Sequence, residues 1–200
     1  MMNTQKLSYF PPQQRQGGYK NPYSQNYQDS LNLYFKVLES KPSGFARYMP
    51  LGMFFLYRSI QADIYIINWL ESVCFLTGGF FQFICALLGL LVIKLRGKKI
   101  VWMFHNIHPH QGDNFMSKTL QDKLYTHANL IISHSKEACI YAKRKARCEV
   151  IYRCHPIKAI ETKGTYTVSP CDVFIWGEIL PYKGLSLIHI SEPTRHSLIS

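Results

Sequence analysis

The sequence predicts an α/β domain in which a parallel sheet carries helices on both faces. Three observations lead there. Four short runs rich in β-branched and aromatic residues recur along the chain, at residues 62–69 (ADIYIINW), 99–105 (KIVWMFH), 128–133 (ANLIIS) and 149–152 (EVIY). Longer segments with helical patterning separate them, and strands that alternate with helices build βαβ units, whose sheets are parallel and covered on both sides. The composition, 47% hydrophobic and 18% charged over 200 residues, suits one compact domain, or one and a fragment, and excludes a disordered or coiled-coil chain.

In chain order, the N-terminal residues MMNTQKLSYFPPQQRQGG lack the apolar stretch of a secretory leader. The six cysteines, Cys74, Cys85, Cys139, Cys148, Cys154 and Cys171, contain no CxxC pair, so free buried thiols in a reducing cytoplasm are expected. Residues 27–40 read as a helix, because Leu31, Tyr34, Phe35 and Leu38 follow the i, i+3, i+4, i+7 spacing.

After the first apolar run, residues 72–93 carry no charge and end in Lys94, Arg96, Lys98 and Lys99. By length and flank this segment qualifies as a membrane span. A span would put the runs at 62–69 and 99–105 on opposite sides of a bilayer, so a crossover helix is the preferred reading. A helix dipping into the membrane interface, and a true span, are the alternatives.

Ser135 is placed to cap a helix that carries Lys136, Lys143, Arg144, Lys145 and Arg147 beside Cys139, Ile140 and Ala146. Its basic side reads as an ordinary solvated face, with anionic lipid as the alternative. Residues 158–170, with Thr, Gly and Pro, form the linker candidate, and DVFIW at 172–176 a fifth strand. The final stretch, LSLIHISEPTRHSLIS at 185–200, begins with eleven residues resembling a translated sequencing adaptor, and it is set aside as non-native.

Lys+Arg 23 against Asp+Glu 12 gives a net charge of +11, which attracts phosphate esters, anionic lipid or nucleic acid without choosing among them. Setting residues 185–200 aside removes Glu192 and Arg195 together, so the basic excess belongs to the rest. Nucleic acid is disfavoured because the aromatic residues fall within strand-like or apolar stretches rather than among exposed cations. No GxSxG, GxGxxG or Walker A sequence occurs before residue 185, and Ser133, His134 and Ser135 are chain neighbours. A hydrolase, an ATPase and a dehydrogenase are all disfavoured.

The candidate chemistry lies in HNIHPH, where His105, His108 and His110 directly follow the second run. Open α/β sheets build their ligand sites at that end of a strand. The histidines can be loop residues or metal ligands, and the preferred reading gives His105, nearest the strand, a donor or acceptor role. Pro109 disturbs a regular ligand spacing, so no metal is assigned.

ADIYIINWLES, KIVWMFHNIHPH, LIISHS with VIYRCHPI, and FIWGEILPYKG, in this order, resemble the N-terminal part and domain junction of family 4 glycosyltransferases with the two-domain GT-B fold. The resemblance covers most of residues 1–184. It implies a Rossmann-like acceptor-side domain at 1–157, and a linker with the first strand of a truncated nucleotide-sugar domain at 158–184. It also implies a retaining, metal-independent and cofactor-free transfer from a nucleotide-sugar donor to a glycan or lipid-diphosphate-linked acceptor in bacterial surface polysaccharide synthesis.

By position, the resemblance gives His105 the catalytic place beside the donor sugar, and Asn106 and His110 the acceptor side. Gly177, Glu178, Lys183 and Gly184 fall on the donor site, with Lys183 meeting the diphosphate. Glu178 stands where many relatives carry an Arg, Cys154 replaces a usual proline, and the E-x7-E pair is missing. The expectation is therefore an inactive fragment of an enzyme that sits in the cytoplasm, peripheral on the inner membrane face. A non-enzymatic protein spanning the membrane at 72–93 is the rival.

Overall fold

The computed structural model describes residues 5–12, 22–38, 44–105, 107, 112 and 114–154. All of them belong to the first of the two compact units of the chain, residues 1–159. Six strands form one sheet: β1 Lys6–Phe10, β2 Lys36–Val37, β3 Ile64–Asn68, β4 Lys99–Phe104, β5 Leu130–Ser133 and β6 Glu149–Tyr152. Every pairing is parallel, in the order β2-β1-β3-β4-β5-β6. The helices are α1 Pro22–Leu31, α2 Leu51–Arg58, α3 Gly79–Leu95, α4 Phe115–His127 and α5 Lys136–Lys143, with short 3₁₀ helices at Gly44–Tyr48 and Leu70–Phe75.

The period-two alternation of strands sorts the apolar residues into two cores. Tyr65 and Ile67 of β3, Ile100, Trp102 and Phe104 of β4, and Ile131 of β5 face the larger one. There Phe55 of α2, Ala86, Leu90 and Ile93 of α3, Leu120 and Leu124 of α4, and Ala138 and Ala142 of α5 meet them. Leu7, Tyr9, Ile66 and Met103 face the other side, against Tyr27 and Leu31 of α1. Helices thus lie on both faces, as expected of a parallel sheet, whose strands are apolar on both sides.

The four expected strands are β3 to β6, each trimmed by no more than two residues at an end. Two strands were not expected. β1 alternates apolar Leu7 and Tyr9 with Ser8 inside a polar N-terminal stretch, and β2 is only two residues long. The helix expected at 27–40 is corrected. α1 starts at Pro22 and stops at Leu31, and the chain turns so that Leu38 N can donate to Leu7 O at 2.8 Å. Tyr34 is 77% exposed, so the spacing that suggested a helical stripe is coincidental. Parallel pairing with β1 outcompetes the local pattern.

The uncharged segment 72–93 is a crossover. A 3₁₀ turn leads to Gly78, whose φ of 71° reverses the chain, and α3 then returns it to β4. β3 and β4 pair in register, Ile64 opposite Lys99 through Asn68 opposite Met103. Both flanks of the segment therefore belong to one sheet, which is incompatible with a span between them. No helix among the described residues is long and apolar enough to cross a membrane.

α3 lies close against α2 because glycines permit it. A Cβ on Gly89 would come within 2.7 Å of the Phe55 ring, and one on Gly52 would collide with the backbone of Gln82. Cys74, Cys85 and Cys139 are free and buried as expected, Cys148 is half-buried, and Cys154 departs from expectation by being exposed. The expected linker, the fifth strand and the tail lie outside the described residues.

Candidate functional site

In this sheet the chain order reverses between β1 and β3: β2 lies outward on one side of β1, and β3 to β6 follow on the other. A ligand crevice forms outside the carboxyl ends of the strands at such a switch point, because the connections leave in opposite directions. Polar groups from five strand ends meet here.

Asn68, the last residue of β3, is fully buried. An amide there must satisfy both its ends. Its Nδ2 donates to the carbonyl oxygen of Phe10 at the end of β1, 3.1 Å away. Its Oδ1 lies 2.9 Å from Nε2 of His105, the residue following β4. Since the Asn68 amide nitrogen is spent on a carbonyl, Oδ1 is the acceptor and His105 Nε2 carries the proton. In the neutral ring Nδ1 is then the basic nitrogen.

Trp69 holds the same imidazole by its face. The two rings stack at 4.5 Å with 19° between planes. To deliver its ring there, Trp69 adopts φ 47°, a left-handed conformation unusual for a bulky residue; such strain is worth about 1–3 kcal/mol and gathers at functional sites. Beyond β5, the ring of His134 approaches His105 with centroids 5.2 Å apart. Its Nδ1 donates to the carbonyl of Arg153 past β6 at 2.8 Å. The hydroxyls next to it serve the backbone: Ser133 Oγ donates to Ser135 O, and Ser135 Oγ caps α5 by accepting from Ala138 N.

The acidic residue of the NWLES stretch is turned inward. Glu71 is buried, and its Oε2 has no hydrogen-bond partner among the described residues. Desolvation pushes its carboxyl up to about 7. Its charge is felt by the Cys74 thiol, pushed up to about 11 first by burial and then by Glu71, and by the Tyr125 hydroxyl of α4, raised mainly by burial. Glu71 belongs to the 3₁₀ turn Leu70–Phe75, which packs against α4.

On the far side of the β4 loop, Asn114 caps α4 reciprocally with Ser117: Ser117 N donates to Asn114 Oδ1 at 2.7 Å, and Asn114 N to Ser117 Oγ at 3.1 Å. α5 keeps Ala138, Cys139 and Ala142 inside and its lysines outside.

Of the residues singled out from sequence, His105 is described and lies at the carboxyl ends of the strands, against Asn68, Trp69 and His134. Asn106, His110, Gly177, Glu178, Lys183 and Gly184 lie outside the described residues. Sequence reasoning did not find Asn68 or the pairing of His134 with His105. A signal for Asn68 existed, since one amide at the end of an apolar run must find partners. Among the described residues, no group of three or more side chains is arranged to hold a metal ion.

Fold and constellation together define a Rossmann-like α/β domain with a cluster of polar groups at the carboxyl ends of its strands. Compared with known proteins, the chain matches no family model, no curated protein and no solved structure.

Proposed function

We propose that the chain is the acceptor-side domain of a GT-B glycosyltransferase, with His105 in its reaction cleft. The enzyme moves a sugar from a nucleotide-sugar donor to a glycan or lipid-diphosphate-linked acceptor in bacterial surface polysaccharide synthesis. The observation that carries the reading is the imidazole of His105, fixed in tautomer by Asn68 and in plane by Trp69 at the switch point.

Transfer of a glycosyl group develops positive charge on the sugar and negative charge on the departing diphosphate. A preorganised hydrogen-bonding ring beside the sugar acts without reorganising in the transition state. In this reading Nε2 is held by Asn68 and the ring so oriented lies beside the donor sugar. Gly177, Glu178, Lys183 and Gly184 belong to the donor side, where the Lys183 ammonium meets the diphosphate. Asn106 and His110 shape the acceptor side. The leaving diphosphate takes the acceptor proton, so no protein nucleophile, metal or cofactor enters the scheme. The rival reading, a protein spanning the membrane at 72–93, fails on the β3–β4 pairing.

The test is sugar transfer by the full-length gene product, measured with radiolabelled nucleotide-sugars and membrane lipid extract. His105→Ala lowers kcat by about a hundredfold or more, as loss of one preorganised polar contact does, and leaves the circular dichroism spectrum intact. Transfer unaffected by His105→Ala, or absent for every donor, refutes the assignment.

A further inference from the structure

Three of the buried polar atoms without a hydrogen-bond partner among the described residues belong to two elements that pack on each other. They are Glu71 Oε2 of the 3₁₀ turn Leu70–Phe75, and Gln121 Nε2 and the Tyr125 hydroxyl of α4. Glu71 and Gln121 are 8% exposed and Tyr125 4%. Gln121 and Tyr125 stand at the i, i+4 spacing, so one face of α4 presents both. The Tyr125 hydroxyl, raised mainly by burial and then by Tyr141, Asp122 and Glu71, is within electrostatic reach of the Glu71 carboxyl. Around these groups Leu70, Val73 and Cys74 of the turn join Leu120 and Leu124 of α4 in the larger core.

Buried polar groups are paired, with protein or with ordered water. The chemistry of the three atoms selects the partner. Gln121 Nε2 only donates, the Glu71 oxygen accepts when ionised, and the Tyr125 hydroxyl does both. A cation would face the amide hydrogens of Gln121, and an anion the oxygens of Glu71. Water both donates and accepts, and an internal water makes about three hydrogen bonds.

We propose that an internal water is bound between the 3₁₀ turn and α4, accepting from Gln121 Nε2, donating to Glu71 Oε2 and sharing a third hydrogen bond with the Tyr125 hydroxyl. It joins the turn that follows Trp69 to the helix whose Tyr125 ring packs edge-on against Phe104, the residue before His105. The assignment holds whatever reaction belongs to His105, so this site and sugar transfer can fail independently.

The test is a crystal structure of the full chain grown from rubidium bromide, at a resolution that shows ordered water. One peak is expected within hydrogen-bond distance of all three atoms, with no anomalous signal. In solution, the side-chain amide protons of Gln121 should show a nuclear Overhauser effect to a long-lived water. Glu71→Leu with Tyr125→Phe removes two of the partners of that water and should abolish the effect. The crystal and the spectrum of the parent chain decide by themselves if the double variant does not fold. Four results overturn the proposal: no peak, a peak that scatters anomalously and is therefore an ion, no effect at Gln121 in the parent chain, or an effect that survives in the double variant.

Discussion

Glu71→Gln isolates a buried carboxyl in the 3₁₀ turn after β3, the one buried acid among the described residues. In the folded chain desolvation raises Glu71 from 4.5 to about 7, while in the unfolded chain it returns to its ordinary value. Between those two pH values the unfolded chain releases the proton and the folded chain keeps it. Stability contributed by this group is therefore fully present below pH 4.5, falls as pH rises through 7, and levels off above it. The shift corresponds to about 3 kcal/mol between pH 4.5 and pH 8. A neutral amide has no such dependence. Urea unfolding followed by tryptophan fluorescence should give variant and parent within about 1 kcal/mol of each other near pH 4.5. At pH 8 the variant should be ahead by about 3 kcal/mol more. His127, lowered by burial and by Lys94, titrates in both proteins and cancels in the difference. A variant whose advantage is the same at both pH values refutes the buried, desolvated carboxyl.

Three further outcomes follow from the geometry. Asn68→Leu strips the Phe10 carbonyl and His105 Nε2 of their partner, so unfolding should lose about 1–3 kcal/mol, and the His105 ring resonances should broaden or shift in NMR spectra. Gly89→Ala places a methyl 2.7 Å from the Phe55 ring and should lower stability by about 1–3 kcal/mol, read from the urea midpoint. Asp63→Asn breaks a pair with Lys98 that is 2.8 Å long and about one-third exposed on each side. Such a pair contributes about 1 kcal/mol or less, and the difference should shrink further in high salt.

The strands β3 to β6 are readable because parallel strands buried on both faces are written as uninterrupted apolar runs. β1 escapes that signature, since Ser8 breaks its run, and β2 has too few residues to carry one. The spacing misplaces α1 because Leu31, Tyr34, Phe35 and Leu38 mimic a helical period while belonging to a helix end, a turn and the residue that follows β2. His105 could be found from its place after an apolar run. Its neighbours could not, because Asn68 lies 37 positions away and meets it only once β3 and β4 are adjacent. Nor does the sequence announce the left-handed Trp69, a conformation normally marked by glycine. The exposed side of α3 is likewise a tertiary fact. Residues 72–93 are uncharged, and only packing on α2 and β4 decides which side faces water.

The most direct measurement is the genomic sequence past the codon for Gly184, obtained without the suspected adaptor. The account predicts a reading frame that continues from FIWGEILPYKG into a second Rossmann-like domain with an E-x7-E pair. A gene that encodes LSLIHISEPTRHSLIS and stops contradicts it, because no donor domain would then face His105.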